Sequence, residues 1–109
     1  KLAPGSLNVA SSLNNLGIVR QDMGELPAAR ALFERALAIC EKALGPEHPH
    51  TARSLNNLAV LLQITGDLQG ARPLYERALA IRNKKLGPDH PDTAKSLSNL
   101  AALLELLGN

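Results

Sequence analysis

Apolar residues in this chain recur at helical spacing in runs that end at glycine. From Leu7 to Met23 they stand at Val9, Ala10, Leu13, Leu16, Val19 and Met23. Steps of three and four place them on one face of a helix. Gly24 closes the run, because glycine takes the left-handed conformation after a helix at no steric cost. Pro27 suits the first turn of a second helix, where a missing N–H does no harm. Its apolar side carries Ala29, Leu32, Phe33, Ala36, Leu37, Ile39 and Cys40, and Gly45-Pro46 stops it after Leu44.

The pattern then returns. Ser12-Leu13-Asn14-Asn15-Leu16-Gly17 reappears as Ser54-Leu55-Asn56-Asn57-Leu58-Ala59 and as Ser96-Leu97-Ser98-Asn99-Leu100-Ala101, each 42 residues on. A fixed period of this length marks a repeat array in which each unit buries its apolar face against the next. It predicts a helix over Thr51–Thr65, a second that starts after Asp67 as N-cap and runs to Leu86, and a last one over Thr93–Leu107. The expected fold is all-α, an α-solenoid of antiparallel hairpins with five helices in one domain over residues 1–109. The repeats lie at about 7–45 and 49–87, with a half repeat at 91–108. Leu2 and Pro4 align with Leu44 and Pro46, so Lys1–Gly5 reads as the end of a preceding helix and the chain as a cut from a longer array. Pro73 lies inside the fourth helix and is expected to leave a carbonyl near Gln69 without its amide, with a kink or a loosened first turn.

Small residues recur in register: Gly17, Ala59 and Ala101 at one position, Ala29 and Ala71 at another, Ala36 and Ala78 at a third. They let neighbouring helices approach closely, with Leu16, Leu58, Leu100, Phe33 and Tyr75 filling the space between. Added bulk at Ala71 or Ala78 should overpack the hairpin by roughly 1–3 kcal/mol.

Composition narrows the function. Of 109 residues, 45% are hydrophobic, mostly Leu and Ala, and Phe33 and Tyr75 are the aromatic ones. Twelve basic against ten acidic residues give a net charge of +2, too balanced for nucleic-acid binding. No apolar run reaches the ~20 residues that span a bilayer, and Glu105 interrupts Leu100–Leu104. A soluble, intracellular, cytoplasmic chain that engages neither membrane nor nucleic acid is expected. Cys40 is the single cysteine and has no disulfide partner; Arg82 stands at its repeat position. Glu47-His48-Pro49-His50 and Asp89-His90-Pro91-Asp92 lack the four-ligand spacing of a structural zinc site. They read as helix-starting turns, with proline in the first turn and Asp92 favoured by the helix dipole. No phosphate loop, nucleophile triad or carboxylate pair stands out, so neither enzyme activity, cofactor nor metal is expected.

Leu58-Ala59, Leu62, Gly66-Asp67, Ala71, Tyr75 and Ala78 stand in the order and spacing of a tetratricopeptide repeat, which the chain resembles. The longer period is taken up in Lys84-Lys85-Leu86-Gly87-Pro88-Asp89-His90-Pro91. With Asp92-Thr93-Ala94 and the Leu-Asn-Asn-Leu start, this is similar to the kinesin light chain type of repeat. The resemblance implies a right-handed superhelix whose first helices line a concave groove that binds peptide segments of other proteins. The work implied is that of a scaffold.

On that expectation Asn15, Asn57 and Asn99 form a row of amides along the groove. Such amides either pair with the backbone of a bound peptide, since each donates and accepts, or bond neighbouring helices and fix the repeat geometry. Asn14 and Asn56 lie beside them. Arg53 and Lys95 share one repeat position and form a positive stripe suited to an acidic partner. Val60 and Gln63, together with Ser11, Ile18, Gln21, Asp22, Ile64, Ala102, Glu105 and Leu106, complete the expected lining. A rival expectation is structural: Leu100, Leu103, Leu104 and Leu107, with no following helix over them, would drive homo-oligomerisation.

Overall fold

The computed structural model describes residues 6–108, and the reading of Lys1–Gly5 from Leu2 and Pro4 lies outside them. Five helices follow in order: α1 (Leu7–Asp22), α2 (Leu26–Leu44), α3 (Pro49–Ile64), α4 (Leu68–Leu86) and α5 (Pro91–Leu107). Each helix packs on its chain neighbour, and α1 also touches α3. The first helices α1, α3 and α5 thus form one layer and the second helices α2 and α4 the other, in a slab of 46 × 33 × 19 Å.

The helix starts show how the chain sets its boundaries. Ser6 caps α1 by accepting from the Val9 amide at 3.3 Å, and Asp67 caps α4 by accepting from the Gly70 amide at 2.9 Å. α3 and α5 begin two residues earlier than the sequence pattern suggests. The imidazole Nδ1 of His48 accepts from the His50 amide at 3.1 Å, and that of His90 from the Asp92 amide at 3.0 Å. Each histidine is therefore the N-cap, and the proline after it opens the helix. Thr51 fastens the turn by donating to the Gly45 carbonyl at 2.8 Å. α4 continues through Pro73 without interruption. That residue is exposed, so water can reach the turn where the proline supplies no amide.

The core is a chain of four linked clusters, one for each step of the array. Ala10 and Leu13 of α1 meet Ala36 and Cys40 of α2. Further toward the start of the same stripe of α2, Ala29 and Phe33 receive Leu58 and Leu61 of α3. Ala52 and Leu55 then meet Ala78 and Ile81 of α4. Ala59, Leu62, Ala71 and Tyr75 close on Leu103 of α5. Each first helix thus carries two apolar sides, one for its own hairpin and one for the preceding one.

That division corrects two expectations. Leu16 does not fill an inter-helix space as Leu58 does; its side of α1 faces no described hairpin and it is 44% exposed. Leu103 is not uncovered but fully buried, and Leu100 and Leu107 are packed on the same cluster. The reason is register: Leu100 and Leu103 stand where Leu58 and Leu61 stand, on the side turned to the preceding hairpin. Burial of a leucine such as Leu103 is worth about 1.5–3 kcal/mol. Leu104 lies on the other side of α5 and is half-buried, while Leu97 is 57% exposed and Leu106 61%.

Gly17 shows how close the helices come. A Cβ at Gly17 would stand 2.5 Å from Cε1 and 2.8 Å from Cδ1 of Phe33, whose ring is itself buried. In the second repeat the same position is Ala59, packed with Tyr75. Gly17→Ala should lower stability by roughly 1–2 kcal/mol, the overpacking exceeding the helix-propensity gain. Denaturant titration checks this; an unchanged or raised midpoint would contradict it.

Candidate peptide-binding groove

The exposed side of the α1–α3–α5 layer collects most of the residues singled out from sequence, but in unequal condition. Asn14 and Asn56 are 3% and 6% exposed, so they do not line a groove. Their amides join helices instead. Asn14 Nδ2 donates to Ser54 Oγ at 3.1 Å, and Asn56 Oδ1 accepts from Asn99 Nδ2 at 3.0 Å. One residue's rotation about the helix separates them from the outer row, and it is enough to put them in the seam between consecutive first helices.

The outer row is itself divided. Asn15 is exposed, and its Oδ1 accepts from Arg53 Nη2 at 3.4 Å. Asn99 is half-buried with its Nδ2 engaged by Asn56. Asn57 makes no side-chain hydrogen bond among the described residues, and its Nδ2 is buried without a partner. Its amide stays uncommitted at the middle of the layer. Buried polar groups of this kind normally find a partner.

Around this row lie groups of two kinds. Toward the helix starts are Arg53, half-buried, and Lys95, exposed. Toward the helix ends are Ile18, Ile64 and Leu106, which are 36%, 53% and 61% exposed. Val60 is half-buried and packed on the Tyr75 cluster. The layer therefore offers cationic donors at one end, apolar side chains at the other and amides between.

Gln63 and Gln21 occupy one repeat position with different outcomes. Gln63 Oε1 accepts from the Tyr75 hydroxyl at 2.9 Å, and burial pushes the Tyr75 phenol above its ordinary pKa. In the first repeat Phe33 has no hydroxyl, and Gln21 Oε1 is buried without a donor.

Two further features are not evident from periodicity. Arg82 of α4, at the repeat position of Cys40, is only 6% exposed. Its Nη1 donates to Ser96 Oγ at 2.8 Å and to the Asp92 carbonyl at 3.4 Å, while Nε is buried without a partner. Burial pulls its pKa below the ordinary guanidinium value; the Asp92 charge opposes that shift and the Arg53 charge adds to it. In the first repeat the small neutral Cys40 takes the place, 3.6 Å from Ser54 Oγ. The sequence signal for Arg82 was a charged residue standing where the companion repeat buries a thiol. The second feature is the pair of histidine caps, whose Nδ1 atoms serve the backbone. Among the described residues no three His, Cys, Asp or Glu side chains converge as a metal set would, and no helix is long and apolar enough to cross a membrane.

Phe33→Tyr should supply Gln21 with the donor that Gln63 already has. A gain of about 1 kcal/mol is expected from one such bond, read as a raised denaturation midpoint. A loss would mean that the first repeat has no room for the hydroxyl.

The described architecture agrees with the comparisons to known proteins. The family model described as tetratricopeptide repeat matches residues 8–84 and again 56–109. No curated protein matches the chain. Among solved structures, BtubC (BKLC) from P. vanneervenii is 30% identical with a TM-score of 0.88, over 95% of this chain and 42% of that one. A Podosopora anserina protein described as a putative kinesin light chain with nearly identical TPR-like repeats is 32% identical, with a TM-score of 0.83 over 99% of this chain and 50% of its own. A singly substituted form of that protein gives 30% identity and a TM-score of 0.85, again over 99% and 50%. The chain thus spans half or less of the length of these structures. With family match, helix order and repeat type in agreement, the chain belongs to the tetratricopeptide repeat family, in its kinesin light chain-like form.

Proposed function

We propose that the exposed face of the α1–α3–α5 layer binds a peptide segment of a partner protein, one that carries both acidic and apolar side chains. Tetratricopeptide repeats mediate protein–protein interaction and their helical solenoids are typically non-enzymatic scaffolds. The observation that carries the finer reading is the uncommitted amide of Asn57, flanked by Arg53 and Lys95 on one side and by Ile64 on the other. The Asn57 Oδ1 suits a peptide N–H, and its Nδ2, closed to solvent as it stands, donates to a peptide carbonyl once the side chain turns outward; the two cations suit carboxylates, and exposed isoleucine suits an apolar anchor. The lone thiol of Cys40 fits a reducing compartment, so a cytoplasmic location belongs to the same reading.

A second reading is self-association. The observation that favours it is the exposure of Leu97 on α5, at the repeat position where Leu55 closes its own hairpin. Light scattering on the wild type and on Leu97→Glu separates the two: self-association predicts an oligomer that the substitution dissolves, and a concentration-independent monomer would contradict it.

Peptides selected from a random library on the immobilised chain test the first reading. The double substitution Arg53→Ala with Asn57→Ala should weaken the selected peptides by at least about tenfold, the sum of one charged and one neutral hydrogen bond, with helicity and mass unchanged. Equal affinity for the double variant would contradict it.

A further inference from the structure

We propose that the open side of α5, formed by Ala94, Leu97, Ala101 and Leu104, docks an amphipathic helix of a partner protein. That helix carries the α4 pattern: two alanines about a tyrosine, with a lysine beyond them. The site is separate from the groove and gives the exposed Leu97 a definite occupant.

The first ground is that the same side of a first helix is already covered twice in this molecule. Ala10 and Leu13 of α1 meet Ala36 of α2, and Ala52 and Leu55 of α3 meet Ala78 of α4. Further along α3, Ala59 and Leu62 meet Ala71 and Tyr75. The repeat puts Ala94, Leu97, Ala101 and Leu104 at the positions of Ala52, Leu55, Ala59 and Leu62, and all four residues are identical. Their surroundings differ. The four on α3 are no more than 5% exposed, whereas Leu97 is 57% exposed, Ala94 and Ala101 are exposed and Leu104 is half-buried. α5 therefore presents to solvent the surface that α3 buries under α4, and a helix with the α4 face continues an interface the chain already makes.

The second ground is charge. Glu47, in the turn before α3, accepts from Lys84 of α4 at 3.2 Å. Its counterpart before α5 is Asp89, which is exposed and in no ion pair among the described residues. Both second helices carry a lysine six residues past their second alanine, Lys42 after Ala36 and Lys84 after Ala78. A docked helix of this pattern brings its lysine to Asp89. An exposed pair adds little affinity, but it fixes the direction in which the helix runs.

The third ground selects tyrosine. Gln63 Oε1 accepts from the Tyr75 hydroxyl at 2.9 Å, and the residue at that position on α5 is the exposed Glu105. Its carboxylate only accepts, and a bond to a charged acceptor is stronger than the neutral one on α3. Ala101 leaves the ring the room that Ala59 leaves Tyr75. A phenylalanine in that place, as in α2, has no hydroxyl to give Glu105.

A fluorescent peptide of residues 67–87, the α4 segment, serves as the probe, beside its Tyr75→Phe form. Anisotropy titrations are run on the wild type, on Leu97→Glu, on Glu105→Ala and on Arg53→Ala with Asn57→Ala. Leu97 is exposed, so its replacement should leave the helicity unchanged, which circular dichroism checks. The wild type should bind the probe, and Leu97→Glu should weaken it by about tenfold or more. Tyr75→Phe should cost about threefold on the wild type and nothing further on Glu105→Ala. The groove double variant should bind the probe as the wild type does; loss there would seat the probe in the groove and overturn the α5 site. Absence of binding, or affinity indifferent to Leu97→Glu, overturns the proposal. So does a wild-type oligomer that Leu97→Glu dissolves and the probe does not, since a second copy then holds this side. Equal affinity of the two peptides for the wild type overturns the choice of tyrosine.

Discussion

The structure depends on how near a second helix can come to the first helices on either side of it. Ala29, Ala36, Ala71 and Ala78 are wholly buried, and each lies where a helix of one layer touches a helix of the other. A single methyl at these points sets the interaxial distance, and the larger groups, Phe33 and Tyr75, are received by Gly17 and Ala59 opposite. Interiors packed to crystal-like density feel the gain of one methylene. Once the spacing is fixed, the rest follows from rotation about each first helix. One side of it closes its own hairpin, a second meets the preceding hairpin, and a third remains for solvent or a ligand.

Polar satisfaction then sorts the residues that periodicity cannot separate. Asn14, Asn15, Asn56, Asn57 and Asn99 look alike in sequence, as adjacent amides at a repeating position. In the structure, Asn14, Asn56 and Asn99 tie the first helices together, Asn15 meets Arg53, and Asn57 makes no such bond. The same logic distinguishes Arg82 from the other arginines and Gln21 from Gln63. Candidate binding groups are sought among those whose hydrogen-bonding capacity the fold leaves over and which border the exposed face, Asn57 first among them.

The number, order and approximate ends of the helices were legible because period, glycine stops and proline starts agree with one another. The caps at His48 and His90 were not, since imidazole is an unusual N-cap and His-Pro reads as a turn whichever atom does the capping. The burial of Leu103 was hidden for a geometric reason. Leu103 and Leu104 are neighbours in sequence but about a hundred degrees apart around the helix, so one is buried by the preceding hairpin and the other is not. Repeat alignment would have settled it, because Leu61 and Leu62 already part in the same way, into separate clusters. Arg82 was visible as a departure from the repeat, although its burial and its bond to Ser96 needed coordinates.

Chemical-shift mapping of backbone and side-chain amides, on addition of a peptide selected against the chain, tests the account most directly. Perturbations should follow the uncommitted face, from Asn15 and Ile18 through Arg53, Asn57 and Ile64 to Lys95, with the Asn57 side-chain amide among the largest. Perturbations confined to the outer face of α2 and α4, around Arg30, Glu34, Arg72 and Glu76, would contradict the assignment of the groove as the binding surface.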